Sequence, residues 1–157
     1  MKISRALCLA LALLVASLCL FSCDEATGGG EIVGGENVIY DSANESVLIF
    51  ADDVTASHQS ILYSAVRDVT GTIPVYDNDK SEPVDHEIVI GQTSRSISQK
   101  AYRKLRTVQA NDGESRFLIY ASGNSVAVAY DNDFQDVTAE YVIQYFVDNY
   151  IKGNATL

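Results

Sequence analysis

Three patterns in this chain have residue types and spacings that chemistry could use. Asp52-Asp53 sets two carboxylates side by side after a β-branched apolar run. Paired carboxylates across a sugar-sized gap are the equipment of glycoside hydrolysis. Helix capping is the simpler duty for acids directly ahead of a helical pattern. Asp77-Asn78-Asp79 and Asp131-Asn132-Asp133 open like calcium loops. An EF-hand needs glycine at its sixth position and glutamate at its twelfth. Those positions hold Glu82 and Ile88 in the first stretch, Asp136 and Val142 in the second, so both read as turns. His58 and His86 are the only histidines, and neither sits in a His-Glu-x-x-His spacing. Tyr102, Tyr120, Tyr130, Tyr141, Tyr145 and Tyr150 could stack on sugar rings, but most fall on apolar faces and read as packing. The expectation is a chain with no catalytic constellation, no metal and no cofactor.

The clearest chemical residue is Cys23, and its chemistry is done to the protein. Lys2 and Arg5 begin a leader in which Ala6 to Phe21 carry no charge, and Asp24-Glu25 follow the cysteine. Basic, apolar and then small-residue cleavage zone is the order of a secretory signal. An ordinary signal peptidase wants small residues three and one positions before the cut. Cutting before Cys23 gives Leu20 and Ser22, and cutting after it gives Phe21 and Cys23. Leucine at the outer position instead resembles a bacterial lipobox, with Cys23 as the lipid attachment site. The apolar run is shorter than the roughly 20 residues that span a bilayer. The expected organisation is a signal peptide over 1–22, a lipid anchor and Gly-rich tether over 23–37, and one domain over 38–157. The expected location is exported and lipid-anchored to the cell membrane, facing outside, with plain secretion or a retained anchor as alternatives.

Composition agrees with an exported domain. All three cysteines, Cys8, Cys19 and Cys23, lie at or before the cleavage zone, so the body must be stabilised by its core without disulfides. The 21 acidic residues outnumber 11 basic ones, two of which, Lys2 and Arg5, belong to the leader. So acidic a surface disfavours nucleic acid and anionic lipid as partners. Gly28-Gly29-Gly30 and Gly34-Gly35 give the tether flexible-coil character. Ile32-Val33-Gly34-Gly35 looks like the activated N-terminus of a trypsin-like protease. No Gly-Asp-Ser-Gly and no Ala-Ala-His follow, which rejects that reading.

These residues must be positioned by alternating strands and helices. Val47-Leu48-Ile49-Phe50-Ala51 reads as a buried strand. Asp52, Asp53 and Thr55 offer turn and N-cap chemistry to a helix carrying Ile61, Leu62, Ala65, Val66 and Val69 on one face, closed by Gly71. Ile73-Pro74-Val75-Tyr76 reads as an edge strand because of its proline. Glu87-Ile88-Val89-Ile90-Gly91 is the clearest interior strand, followed by a weakly amphipathic stretch, Ile97 to Leu105. Arg116 to Tyr120 and Ser125 to Tyr130 flank Ser122-Gly123-Asn124 as a hairpin. A final helix runs from about Phe134 to Ile151. The fold class expected is α/β (α+β): one mixed sheet of about four to six strands with a hairpin, and two main helices covering mainly one face.

This succession resembles the small N-terminal domain that precedes the catalytic barrel in several glycoside hydrolases: bacterial β-N-acetylhexosaminidases, α-glucuronidases and hyaluronidase-type hexosaminidases. The resemblance covers about residues 47 to 151. Its most specific pieces are Glu87-Ile88-Val89-Ile90-Gly91-Gln92-Thr93-Ser94-Arg95 and the run from Asp112-Gly113-Glu114-Ser115-Arg116-Phe117 to Gly123-Asn124. Asp131-Asn132-Asp133-Phe134-Gln135-Asp136 replaces the family's Gly-rich or Ser-Pro-Arg-Gly-like approach to the last helix. The resemblance implies a zincin-like layer without a metal centre, and catalytic carboxylates carried on a separate barrel. It implies a non-catalytic accessory domain, a truncated product or one that docks a separate barrel. A stand-alone surface module binding a glycan or a protein is the alternative. The partners expected are the membrane through its lipid, a glycoside-hydrolase catalytic domain or a glycan.

Overall fold

The computed structural model describes residues 31–32, 45–113, 115–133 and 137–152. Cys23 and the leader lie outside the described residues, as do Gly34-Gly35 and the Phe134–Asp136 lead-in. The strands are β1 (Glu31–Ile32), β2 (Val47–Phe50), β3 (Val75–Asp77), β4 (Glu87–Ile90), β5 (Phe117–Ser122) and β6 (Ser125–Tyr130). The helices are α1 (Ala56–Thr70), α2 (Ser96–Asp112) and α3 (Ala139–Phe146), the last running on into a π-helical turn over Val147–Ile151. No described helix is long and apolar enough to cross a membrane.

One mixed sheet has the order β1-β5-β6-β4-β2-β3. Strands β3, β2, β4 and β6 run parallel, β5 returns antiparallel against β6, and β1 runs parallel to β5. The interior strand expected at Glu87 is central and fully buried, and the proline-led strand is an edge. The hairpin closes through Gly123-Asn124, with Gly123 at φ 62. Glycine at the first of two loop residues is the II′ arrangement that matches strand twist.

Side chains alternate across the sheet with period two, and both sets are covered. Leu48, Ile88, Ile90, Ile119, Val126 and Val128 face α1 and α3. Ile49, Val89, Leu118, Ala127 and Ala129 face Ile97, Ala101 and Leu105 of α2. Two helices on one face was therefore an incomplete expectation; three helices cover two faces. The cause is α2. Its buried residues lie at i, i+4 and i+8, a narrow seam on an otherwise polar helix that reads weakly in sequence. Fully burying a leucine or isoleucine contributes about 1.5–3 kcal/mol, so even this seam is a substantial part of the stability.

Helix ends follow local chemistry. Thr55 caps α1 by accepting the His58 amide at 3.5 Å, and Thr138 caps α3 by accepting from Tyr141 at 3.2 Å. Asp52-Asp53 does not cap; it forms the turn before Thr55. Gly71 and Gly113 close α1 and α2 in the left-handed region, donating to Arg67 and Gln109 carbonyls at 2.8 Å. Within the span expected as tether, 23–37, Glu31–Ile32 pair with Leu118 and Ile119. A free β5 edge offers unpaired backbone groups that a neighbouring segment satisfies.

Candidate functional site

The connections leaving β2, β4 and β6 diverge at the carboxyl edge of these parallel strands. The chain after β2 and β6 goes to the α1–α3 face, while the chain after β4 goes to the α2 face. A crevice forms at such a switch point, where ligands bind in open α/β sheets. Here the crevice is a cleft of about 620 Å³. Asp53 follows β2, Gln92 follows β4, Asn132 follows β6, and Tyr102, Arg106 and Gln109 project from α2.

Gly91 makes the cleft floor possible. It holds φ +85, and its amide donates to the Val128 carbonyl at 3.0 Å. A Cβ there would lie 2.7 Å from Ala51 Cβ and 3.3 Å from the Tyr130 hydroxyl. Tyr130 is buried, and its hydroxyl donates to Asp53 Oδ2 at 3.3 Å. Asn132 Nδ2 donates to the same oxygen at 2.8 Å. On the far wall Gln109 Nε2 donates to Asp131 Oδ2 at 2.8 Å, and Asp131 Oδ1 accepts the Asp133 amide at 3.0 Å. Burial pushes the Tyr102 phenol up to about 12, and the nearby Asp53 and Asp131 charges add to this. Burial first and Asp53 second raise the Tyr130 phenol as well. Both tyrosines therefore stay neutral donors and acceptors near neutral pH.

A second, shallower cleft of about 380 Å³ lies across the Asp52-Asp53 turn, between Phe50, Asp52, Tyr76 and Asp79. Its wall is aromatic: Tyr63 stacks on Tyr76 with centroids 5.3 Å apart, and Phe50 tilts against Tyr76 at 5.9 Å. Tyr76 sits on the outermost strand, beside Ile73 and Val75, and these three are 48%, 68% and 41% exposed.

Other candidates from sequence find structural duties. The 77–81 loop wraps Arg95, whose guanidinium donates to the Ser81 carbonyl, to Ser81 Oγ at 2.9 Å and to the Asn78 carbonyl at 3.3 Å. Arg95 also pairs with Glu87 at 3.0 Å, with both side chains under 5% exposed (3% and 4%). Hydrogen bonds from Ser81 and the Asn78 amide hold Asp77 below the usual carboxylate range. Ser94 holds Asp79 low in the same way, through its amide at 2.9 Å. Among the described residues, no three His, Cys, Asp or Glu side chains gather as a metal site. His58 Nε2 lies 4.0 Å from Glu140 Oε2 where α1 and α3 begin. His86 takes φ 62 in the turn before β4 and gives its carbonyl to the Val47 amide at 3.1 Å.

Of the six tyrosines singled out in sequence, Tyr130 and Tyr150 are buried, and Tyr102, Tyr120 and Tyr145 pack half-buried against the two cores. Tyr141 is exposed, edge-on to Phe117 at 6.2 Å. Sequence reasoning passed over Gln92, Arg106, Gln109 and the Tyr63–Tyr76 stack. The signal that could have found Gln92 and Asn132 is their place directly after strand ends.

The fold and cleft thus define an open-sheet α/β domain with a polar crevice at the carboxyl edge of its parallel strands. No family model, no curated protein and no solved structure matches this chain.

Proposed function

We propose that this chain is a non-catalytic accessory domain of a glycosidase-type carbohydrate-processing system, held at the outward face of the cell membrane through a lipid on Cys23. The observation that carries the reading is the bare outer edge at β3. Ile73 just ahead of β3 and Val75 within it are exposed, and among the described residues no further strand pairs with β3, which leaves an apolar edge on a strongly acidic chain. Such an edge suits docking against a separate catalytic barrel. The order of elements from β2 to α3 supports the same reading, as does the sheet they build, and a metal-free zincin-like layer belongs to it. The cleft supports the second reading, a surface module that itself holds a glycan.

The test has two arms. Purified protein incubated with aryl N-acetyl-β-glucosaminides and aryl α-glucuronides is expected to give no release of the aryl group. Turnover that persists through purification and falls in Asp53→Asn would overturn the proposal. Metabolic labelling with an alkyne fatty acid is expected to mark the membrane fraction and to vanish in Cys23→Ala. An unlabelled, freely secreted product removes the anchor from the reading.

A further inference from the structure

We infer that the cleft at the carboxyl edge of β2, β4 and β6 is a binding site for a neutral, hydroxyl-rich sugar unit rather than a uronic acid. The inference rests on the reading of the chain as a carbohydrate-system domain without catalysis, and it names the ligand of that domain. The cleft volume of about 620 Å³ lies within the 300–1,000 Å³ typical of small-molecule sites. Its hydrogen-bonding groups are complementary to vicinal hydroxyls. Both contacts to Asp53 fall on Oδ2, so Oδ1 has no partner among the described residues. Oδ1 points over Gly91, where even a Cβ would lie 3.6 Å away, so the missing side chain keeps that acceptor open.

Asn132 spends its amide nitrogen on Asp53, which leaves its carbonyl oxygen for a ligand donor. The Arg106 guanidinium lines the cleft without an ion pair among the described residues, and the Gln92 amide is also uncommitted. Acceptors at Asp53 and Asn132 and donors at Arg106 and Gln92 match groups that both donate and accept. The half-buried Tyr102 ring in the cleft wall supplies an apolar surface for the C–H face of a pyranose ring.

Charge decides between sugar classes. Asp53, Asp131 and Asp133 line the cleft against one guanidinium, so a ligand carboxylate meets net repulsion. Asp53, Asn132, Gln109 and Asp131 are already held by hydrogen bonds to neighbours, which limits the ordering cost of binding.

The experiment is a titration of the ¹⁵N-labelled chain with N,N′-diacetylchitobiose and, separately, with a glucuronate disaccharide. Saturable shifts of the Gly91, Gln92 and Asn132 amides are expected, with a dissociation constant of roughly 1 mM. Arg106→Ala and Asn132→Ala are each expected to weaken binding about fivefold, the worth of one hydrogen bond. Both positions are exposed, so their urea midpoints should match the parent. The uronate should bind at least about tenfold more weakly. Absence of shifts up to about 50 mM chitobiose overturns the inference. So do shifts confined to Tyr63 and Tyr76, or uronate binding as tight as the neutral sugar. A chain that neither binds nor hydrolyses loses only this inference. A chain that hydrolyses loses the non-catalytic reading beneath it.

Discussion

Replacing Gly91 by alanine should cost far more than the same change at other left-handed glycines, and the difference isolates the cleft floor. Gly91 and Gly113 have φ of +85 and +67, so alanine at either pays a left-handed backbone penalty of about 1–2 kcal/mol. At Gly113 nothing lies within 4 Å of an added Cβ, and the cost should end there. At Gly91 the Cβ would sit 2.7 Å from Ala51 Cβ, a distance real Cβ atoms do not tolerate, and 3.3 Å from the Tyr130 hydroxyl. Ala51 directly follows β2 and its Cβ is fixed to the backbone, so it cannot yield without moving a central strand. Overpacking of this kind adds about 1–3 kcal/mol, for a total near 2–5 kcal/mol. That is a large share of the 5–15 kcal/mol that ordinarily holds a domain together.

Urea unfolding followed by circular dichroism reads the effect directly. With a slope of about 1.5 kcal/mol/M, the midpoint should fall by roughly 1.3–3.3 M for Gly91→Ala and by roughly 0.7–1.3 M for Gly113→Ala. Equal shifts for the two variants would refute the reasoning, because backbone conformation alone would then explain both. A variant too unstable to purify is matched by Gly91→Ala combined with Ala51→Gly, which removes the atom nearest the new Cβ. That pair should recover part of the loss.

Two further outcomes follow from buried polar groups. Removing one partner of the Glu87–Arg95 pair, as in Glu87→Gln or Arg95→Met, should cost about 3–5 kcal/mol, and the double variant less than the two together; an additive double-mutant cycle would deny the coupling. The raised phenols of Tyr102, at about 12, and Tyr130 make the folded state bind protons more tightly than the unfolded chain above the ordinary tyrosine value of 10.0. Their contribution is full below pH 10.0 and is lost as pH rises toward 12, so alkaline absorbance titration should show these rings ionising together with unfolding. Smooth ionisation of every tyrosine near 10 in the folded protein would contradict it.

Strands were legible here because β-branched residues concentrate where backbone is buried, as in Val47–Phe50 and Glu87–Ile90. Glycine and threonine punctuation located Thr55, Gly71 and Gly123. The second covered face was hidden because Ile97, Ala101 and Leu105 are few among polar neighbours. The cleft was less legible still. Asp53, Gln92, Arg106 and Asn132 come from four segments that only parallel pairing of β2, β4 and β6 brings together. Asp52-Asp53 stood out in sequence, but its two acids serve different clefts, since the turn aims one to each side. The Glu87–Arg95 pair gave no local sign, because a charged first residue on an apolar strand reads as a strand end.

The pairing of β1 with β5 sets a leash. Leu118 lies near the start of β5, beside the β6 end where the cleft opens, and Glu31 is in register with it. The chain therefore reaches the sheet at its cleft-bearing edge, two strands, about 10 Å, from β6. Seven residues, and so eight residue-to-residue steps, separate Cys23 from Glu31, and a chain spans at most about 3.6 Å per step, so their separation cannot exceed roughly 29 Å. Whatever is attached at Cys23 stays within roughly 40 Å of the cleft, about the thickness of one membrane. With a lipid there, the crevice would be kept close to the surface that holds it, working in the layer next to the membrane.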